Sequence, residues 1–203
     1  MNVISSSLIR RPDLRISNTK RKMFLFPEET EIISFRDEIL STLEQSSPGT
    51  IIPISYKGIA LSASCQAATL GVALLEIVRG TYPDRFILVR DPNGTNDWDA
   101  DAALRKESAR TQEKLICVWE GPGGLISIQG PIDPQVETTY RFVAQESESH
   151  GGATARAFAE REGISIQAAG NRMFKAAKLG IIYRAEEVTV EGGGKQHLYV
   201  PIE

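Results

Sequence analysis

From Ser165 to Arg184 the chain carries four basic residues, Arg172, Lys175, Lys178 and Arg184, and no carboxylate. On a helix, Ala169, Met173 and Ala176 fall on one face. Gln167, Asn171, Arg172, Lys175 and Lys178 fall largely on the other. Those side-chain types suit nucleic acid: Gln and Asn pair with adenine edges, and Arg and Lys address guanine or phosphate. Downstream, Lys195, Gln196 and His197 adjoin the glycine run Gly192-Gly193-Gly194, a tip suited to phosphate or the minor groove. The expected DNA-contacting set is therefore Gln167, Asn171, Arg172, Lys175, Lys178, Arg184, Lys195 and His197. Glu160, Glu162, Glu186, Glu187 and Glu191 lie nearby and are expected on the opposite face, because they would repel phosphate.

Other candidate chemistry is thinner. The stretch DPNGTNDWDAD groups Asp91, Asp97, Asp99 and Asp101. Oxygen ligands suit Ca²⁺ or Mg²⁺, but the spacing fits no EF-hand loop, and Asp97 is well placed as a helix cap. Gly121-Pro122-Gly123-Gly124 precedes a strand, so it reads as a hairpin turn rather than a phosphate cradle. The two histidines, His150 and His197, have no cysteine or serine beside them in a nucleophile setting. Cys65 and Cys117 read as buried reduced thiols, although a helix start at Cys65 could lower its pKa. Trp98 and Trp119 read as core or surface-anchor residues. No catalytic residue, metal or cofactor is expected, and an enzyme using the acidic cluster stands as the third-ranked alternative.

Three segments must position these residues. Residues 1–22 carry six basic groups and one acidic group, and read as a basic flexible arm. Residues 23–130 alternate strands with helices, which predicts an α/β layer with a mixed sheet. The expected elements are a strand at Met23–Phe26, a helix from Ser34 to Gln45 capped by Ser34, and a strand over Thr50–Ile59. A helix over Ser64–Arg79, a strand at Arg85–Arg90 and a helix over Asp97–Thr111 follow. Strands at Lys114–Trp119 and Leu125–Ile128 complete this segment. Pro53 predicts an edge or a bulge. Residues 131–203 predict three helices and a hairpin. The first begins at Asp133-Pro134 and gives way to a loop over Glu146–Gly152. The second spans Thr154–Arg161, and the third runs from a Ser165 cap to Leu179. Strands follow at Ile181–Val190 and Lys195–Ile202.

This C-terminal segment resembles the winged helix-turn-helix family of bacterial regulators, with Met173, Ala176, Leu179, Gly180 and Ile181 at the positions of that family's apolar ending. The resemblance implies a DNA-reading helix and, by analogy with symmetric half-sites, a homodimer. The stretch Phe35–Val78 resembles the STAS-like domains related to bacterial anti-anti-sigma factors. That likeness implies a partner, often a kinase-type ATPase, meeting the loop Ser62-Ala63-Ser64-Cys65. It also marks Ser62 and Ser64 as phosphorylation or docking candidates, with Ser64 at the phosphoacceptor position. Ala63 and Ser55 stand where that family usually has aspartate, and Gln66 where it has glycine. A phosphate at Ser64 would meet free amides at a helix start; Ser64 as a plain helix cap is the competing reading.

The 203-residue chain has a net charge of −3, so the overall balance advertises no nucleic-acid partner. Without a secretion signal or a run of ~18 apolar residues, the cytoplasm is the default expectation and no membrane partner is expected. Two functions follow: a non-enzymatic regulator whose winged helix reads duplex DNA while the α/β domain docks a partner or senses a signal, and a protein-docking adaptor working through the loop around Ser64.

Overall fold

The computed structural model describes residues 8–16, 20–189 and 194–203. The fold is mixed α/β, and the chain divides into two compact units, Ile9–Ile132 and Asp133–Ile202.

The first unit is built on short apolar strands. They are β1 (Ile9–Arg10), β2 (Met23–Phe24), β3 (Thr50–Ser55), β4 (Ala60–Leu61), β5 (Arg85–Arg90), β6 (Cys117–Glu120) and β7 (Ile126–Gln129). Its helices are α1 (Thr30–Gln45), α2 (Ala63–Gln66), α3 (Val72–Val78) and α4 (Asp97–Thr111), with a π-helical turn over Ala67–Gly71 joining α2 to α3. The main sheet has the order β1-β3-β5-β6-β7. The first four strands are parallel, and β7 returns antiparallel to β6. The parallel strands are laid down in one direction, and crossovers of this kind are right-handed. Their helices therefore gather on one face, and alternate strand residues point at them. Ile52, Ile54, Ile87, Val89, Cys117 and Trp119 share one core with Phe35, Ile39 and Leu43 of α1, Leu74 of α3 and Leu104 of α4.

Several boundaries differ from the sequence expectation. Part of the expected arm is structured: Ile9 and Arg10 form the sheet edge beside Thr50 and Ile51, and Leu14 bridges Ile54. The rest of that arm, 1–7 and 17–19, lies outside the described residues. Pro53 is not on an edge strand, since β3 lies between β1 and β5. Its carbonyl accepts from Leu14 N on the β1 side, so its missing N–H falls where Arg11 to Leu14 cross with few ladder bonds. The strand from Thr50 stops at Ser55, and Ala60–Leu61 pairs instead with β2. Helix α1 starts before Ser34, at Thr30. The Glu29 carboxylate accepts from Leu25 N and Phe26 N just ahead of it and pairs with Arg21, and together these hold its pKa below the usual carboxylate value despite desolvation.

The second unit holds α5 (Pro134–His150), α6 (Ala155–Glu162), α7 (Ile166–Lys178), β8 (Ile182–Thr189) and β9 (Lys195–Pro201). Each helix start has its own side-chain cap: Asp133 accepts from Gln135 N, Thr154 from Ala157 N, and Ser165 from Ala168 N. The expected loop over Glu146–Gly152 is mostly helix, because α5 continues to a left-handed Gly151. Phe142 of α5 stacks on Phe158 of α6 with ring centroids 4.8 Å apart. Ala159, Ala169, Met173 and Ala176 are buried between the helices. Strands β8 and β9 form an antiparallel ladder with a bulge between Arg184 and Glu186. The hairpin tip, 190–193, lies outside the described residues.

Candidate nucleic-acid interface

The start of helix α7 is set by the turn that precedes it. Gly163, with φ of 65°, turns the chain sharply out of α6, and Ser165 then caps α7. Ala169, Met173 and Ala176 are fully buried, which leaves the opposite side in water. Gln167, Asn171 and Lys178 are exposed on that side, and Phe174 stands among them, 58% exposed. The four are spaced as one stripe along the helix. No carboxylate occurs anywhere in α7.

The remaining expected contact residues are not equally open. Arg172 is only half-exposed and lies off the stripe. Lys175 Nζ is 2.9 Å from Asp133 Oδ2, the capping residue of α5. On the hairpin, the Arg184 guanidinium meets the His197 ring. Lys195 Nζ lies 3.6 Å from Glu187 Oε2, and His197 Nε2 lies 4.0 Å from Glu187 Oε1. Glu187 is thus beside the hairpin cations and not on an opposite face, because the ladder puts Glu187 directly across from His197. Glu191 lies outside the described residues.

One tie in this unit had no sequence signal beyond its glycines. Ala153 N donates to Tyr199 O at 2.9 Å, and Tyr199 N donates to Ala153 O at 2.8 Å. This bridge fastens the start of α6 to β9. Burial pushes the Tyr199 hydroxyl pKa up, opposed by the charge of Arg184.

In the first unit, the loop Ser62 to Cys65 begins α2. Ser62, not Ser64, is the cap: its Oγ accepts from Cys65 N. Ser64 is exposed, and its hydroxyl donates to Leu25 O at 3.1 Å. Cys65 is buried, and desolvation pushes its thiol up rather than down, so the helix start does not activate it. Burial also raises Cys117 strongly. Exposed Met23, Leu25 and Phe26 adjoin the Ser62–Ser64 loop through the Leu25 carbonyl.

The acidic stretch disperses into structural duties. Asp91 Oδ2 accepts from Asn96 N at 2.7 Å, Asp97 Oδ1 accepts from Trp98 N, and Asp101 serves both Arg105 and Gly130 N. Among the described residues, no three His, Cys, Asp or Glu side chains come together in a way that could hold a metal ion. Trp119 is a core residue whose ring lies 5.8 Å from that of Tyr56, tilted by 53°, whereas Trp98 is 84% exposed.

A cleft of about 170 Å³ lies at the ends of β3, β5 and β6, and sequence reasoning missed it. Its floor is Arg90, held by Asp13 at 2.8 Å and Glu120 at 2.9 Å; Lys57 and the Gly121–Gly124 turn complete the wall. Asp13 and Arg90 are 77 residues apart, so no local pattern could have announced the pairing.

No helix among the described residues is long and apolar enough to cross a membrane. Comparison with protein-family models, with curated proteins and with solved structures finds no match for this chain.

Proposed function

We propose that this protein is a non-enzymatic DNA-binding regulator. Residues 133–202 act as a winged helix with α7 as the reading helix, and residues 9–132 act as a STAS-like unit that docks a partner or senses a signal. The carrying observation is the exposed, carboxylate-free side of α7, with Gln167, Asn171 and Lys178 aligned opposite a fully buried apolar side. Such a rod fits the major groove, where amides read base edges and the terminal lysine meets phosphate. The hairpin supports phosphate contact through Arg184 and Lys195, at a cost from Glu187. A homodimer on paired half-sites suits this mode of reading.

The test is fluorescence anisotropy of the full chain on random-sequence duplex DNA across a salt series. Binding should weaken as salt rises, with a log–log slope of about −0.9 per phosphate contact. Asn171→Ala with Lys178→Ala should lower affinity at least tenfold, on the order of one lost base contact plus one phosphate contact. Salt-insensitive binding, or a double variant as tight as the parent, rejects the reading.

A second reading, favoured by one observation, is a docking adaptor for a kinase-type ATPase. The exposed Met23, Leu25 and Phe26 beside Ser64 offer an apolar surface next to the candidate phosphoacceptor. Incubation with a kinase and ATP, followed by mass spectrometry, should then find phosphate on Ser64; an unmodified Ser64 removes the phospho-switch.

A further inference from the structure

We propose that the exposed edge of α7 reads adenine–thymine base pairs, with the Phe174 ring against a thymine C5-methyl group. This rests on the DNA-binding reading above and names the sequence class its site prefers. Phe174 is 58% exposed and lies on the far side of the helix from the buried Ala169 and Ala176, so it takes no part in the helical core. Gln167, Asn171 and Lys178 flank it along one edge.

The chemistry of these neighbours selects the base pair. An Asn or Gln amide offers one donor edge and one acceptor, the complement of adenine N7 and N6–H. The apolar feature of the major groove is the methyl group of thymine, the base opposite that adenine. Guanine is read by Arg or Lys in bidentate contact with O6 and N7. Arg172 is off the edge and half-buried, Lys175 is held by Asp133, and Lys178 stands in the last turn of the helix. Cytosine is read by a carboxylate accepting from N4, and α7 has none. The middle of the helix is therefore equipped for adenine and for the thymine methyl, and poorly for a G·C pair.

The full chain is used to select bound duplexes from a random-sequence pool, and the enriched duplex is remade with uracil at each thymine in turn. That replacement removes only the C5-methyl group. The expected result is enrichment of A·T steps and one thymine at which uracil weakens binding about fourfold, the worth of one buried methyl group. In Phe174→Ala the uracil effect at that thymine should vanish, while Phe174→Leu should keep part of it. Because the ring is exposed, both variants should melt with the parent protein. Enrichment of G·C steps, or an equal uracil effect in the parent and in Phe174→Ala, overturns the proposal. So does a Phe174→Ala protein with parental DNA affinity but a changed sedimentation mass, which would give the ring to a protein contact. Absence of salt-sensitive binding to any duplex is a separate result and rejects the DNA reading itself.

Discussion

Asp133 divides its carboxylate between two helices: Oδ1 accepts from Gln135 N at 2.9 Å to cap α5, and Oδ2 holds Lys175 Nζ of α7 at 2.9 Å. The pair is partly exposed, so its net worth to stability is small, about 0–1 kcal/mol. Its effect on charge is larger, since it neutralises a cation of the proposed reading helix.

Asp133→Asn separates the two roles. Asparagine caps about as well as aspartate, so the melting temperature should stay close to that of the parent. Lys175 is released, and DNA affinity at low salt should rise. If Lys175 then takes a phosphate, the salt dependence should steepen by about 0.9. Anisotropy over a salt series checks this; an unchanged slope would show that Lys175 lies away from DNA.

Gly152 has no room for a side chain. Its φ is 153°, and a Cβ there would lie 2.7 Å from Leu198 Cγ and 3.0 Å from Tyr199 O. Gly152→Ala should loosen the Ala153–Tyr199 bridge and destabilise by about 1–3 kcal/mol. Gly163→Ala meets open space at φ of 65° and should lose only about 1 kcal/mol. Denaturant unfolding of the two variants gives the comparison.

The hydroxyls of Ser62 and Ser64 should differ in the same measurement. Ser62→Ala removes the cap of α2 and should lower stability by about 1 kcal/mol. Ser64→Ala removes an exposed donor to Leu25 O and should stay within about 0.5 kcal/mol of the parent. Equal losses would contradict the assignment of the cap to Ser62.

Cys65 and Cys117 are both buried, and burial raises both thiol pKa values above the ordinary thiol value of about 8.5. In the folded chain they therefore stay protonated where the unfolded chain ionises. The contribution of these two thiols should be constant below about pH 8, and stability should fall as pH rises beyond the unfolded thiol value, by up to about 1.4 kcal/mol per pH unit for each thiol. Cys117→Ser or Cys117→Ala should flatten part of that slope. A thiol reagent should react slowly with the native protein and readily after denaturation.

The helices of the second unit were legible in sequence because their signals are local. Asp133, Thr154 and Ser165 sit at the three caps, Gly163 ends α6, and the burial of Ala169, Met173 and Ala176 follows from 3.6-residue spacing. The strands Arg85–Arg90 and Cys117–Glu120 were legible as apolar runs bounded by turns. A short strand with little apolar content was not: Ile9–Arg10 becomes a sheet edge only because β3 offers it a ladder. Pro53 misled in the same way, since its cost depends on what lies opposite one missing N–H.

The sequence by itself determined the three helix starts of the second unit, their caps and the apolar side of α7, because spacing and capping act within a few residues. Which cations face solvent freely was decided only by tertiary structure. Lys175 is tied to a residue 42 positions away, and Lys195 has a cross-strand glutamate 3.6 Å from its ammonium group. Coulomb pairing and exposure depend on distance in space, and distance in space is set by how helices cross and strands register.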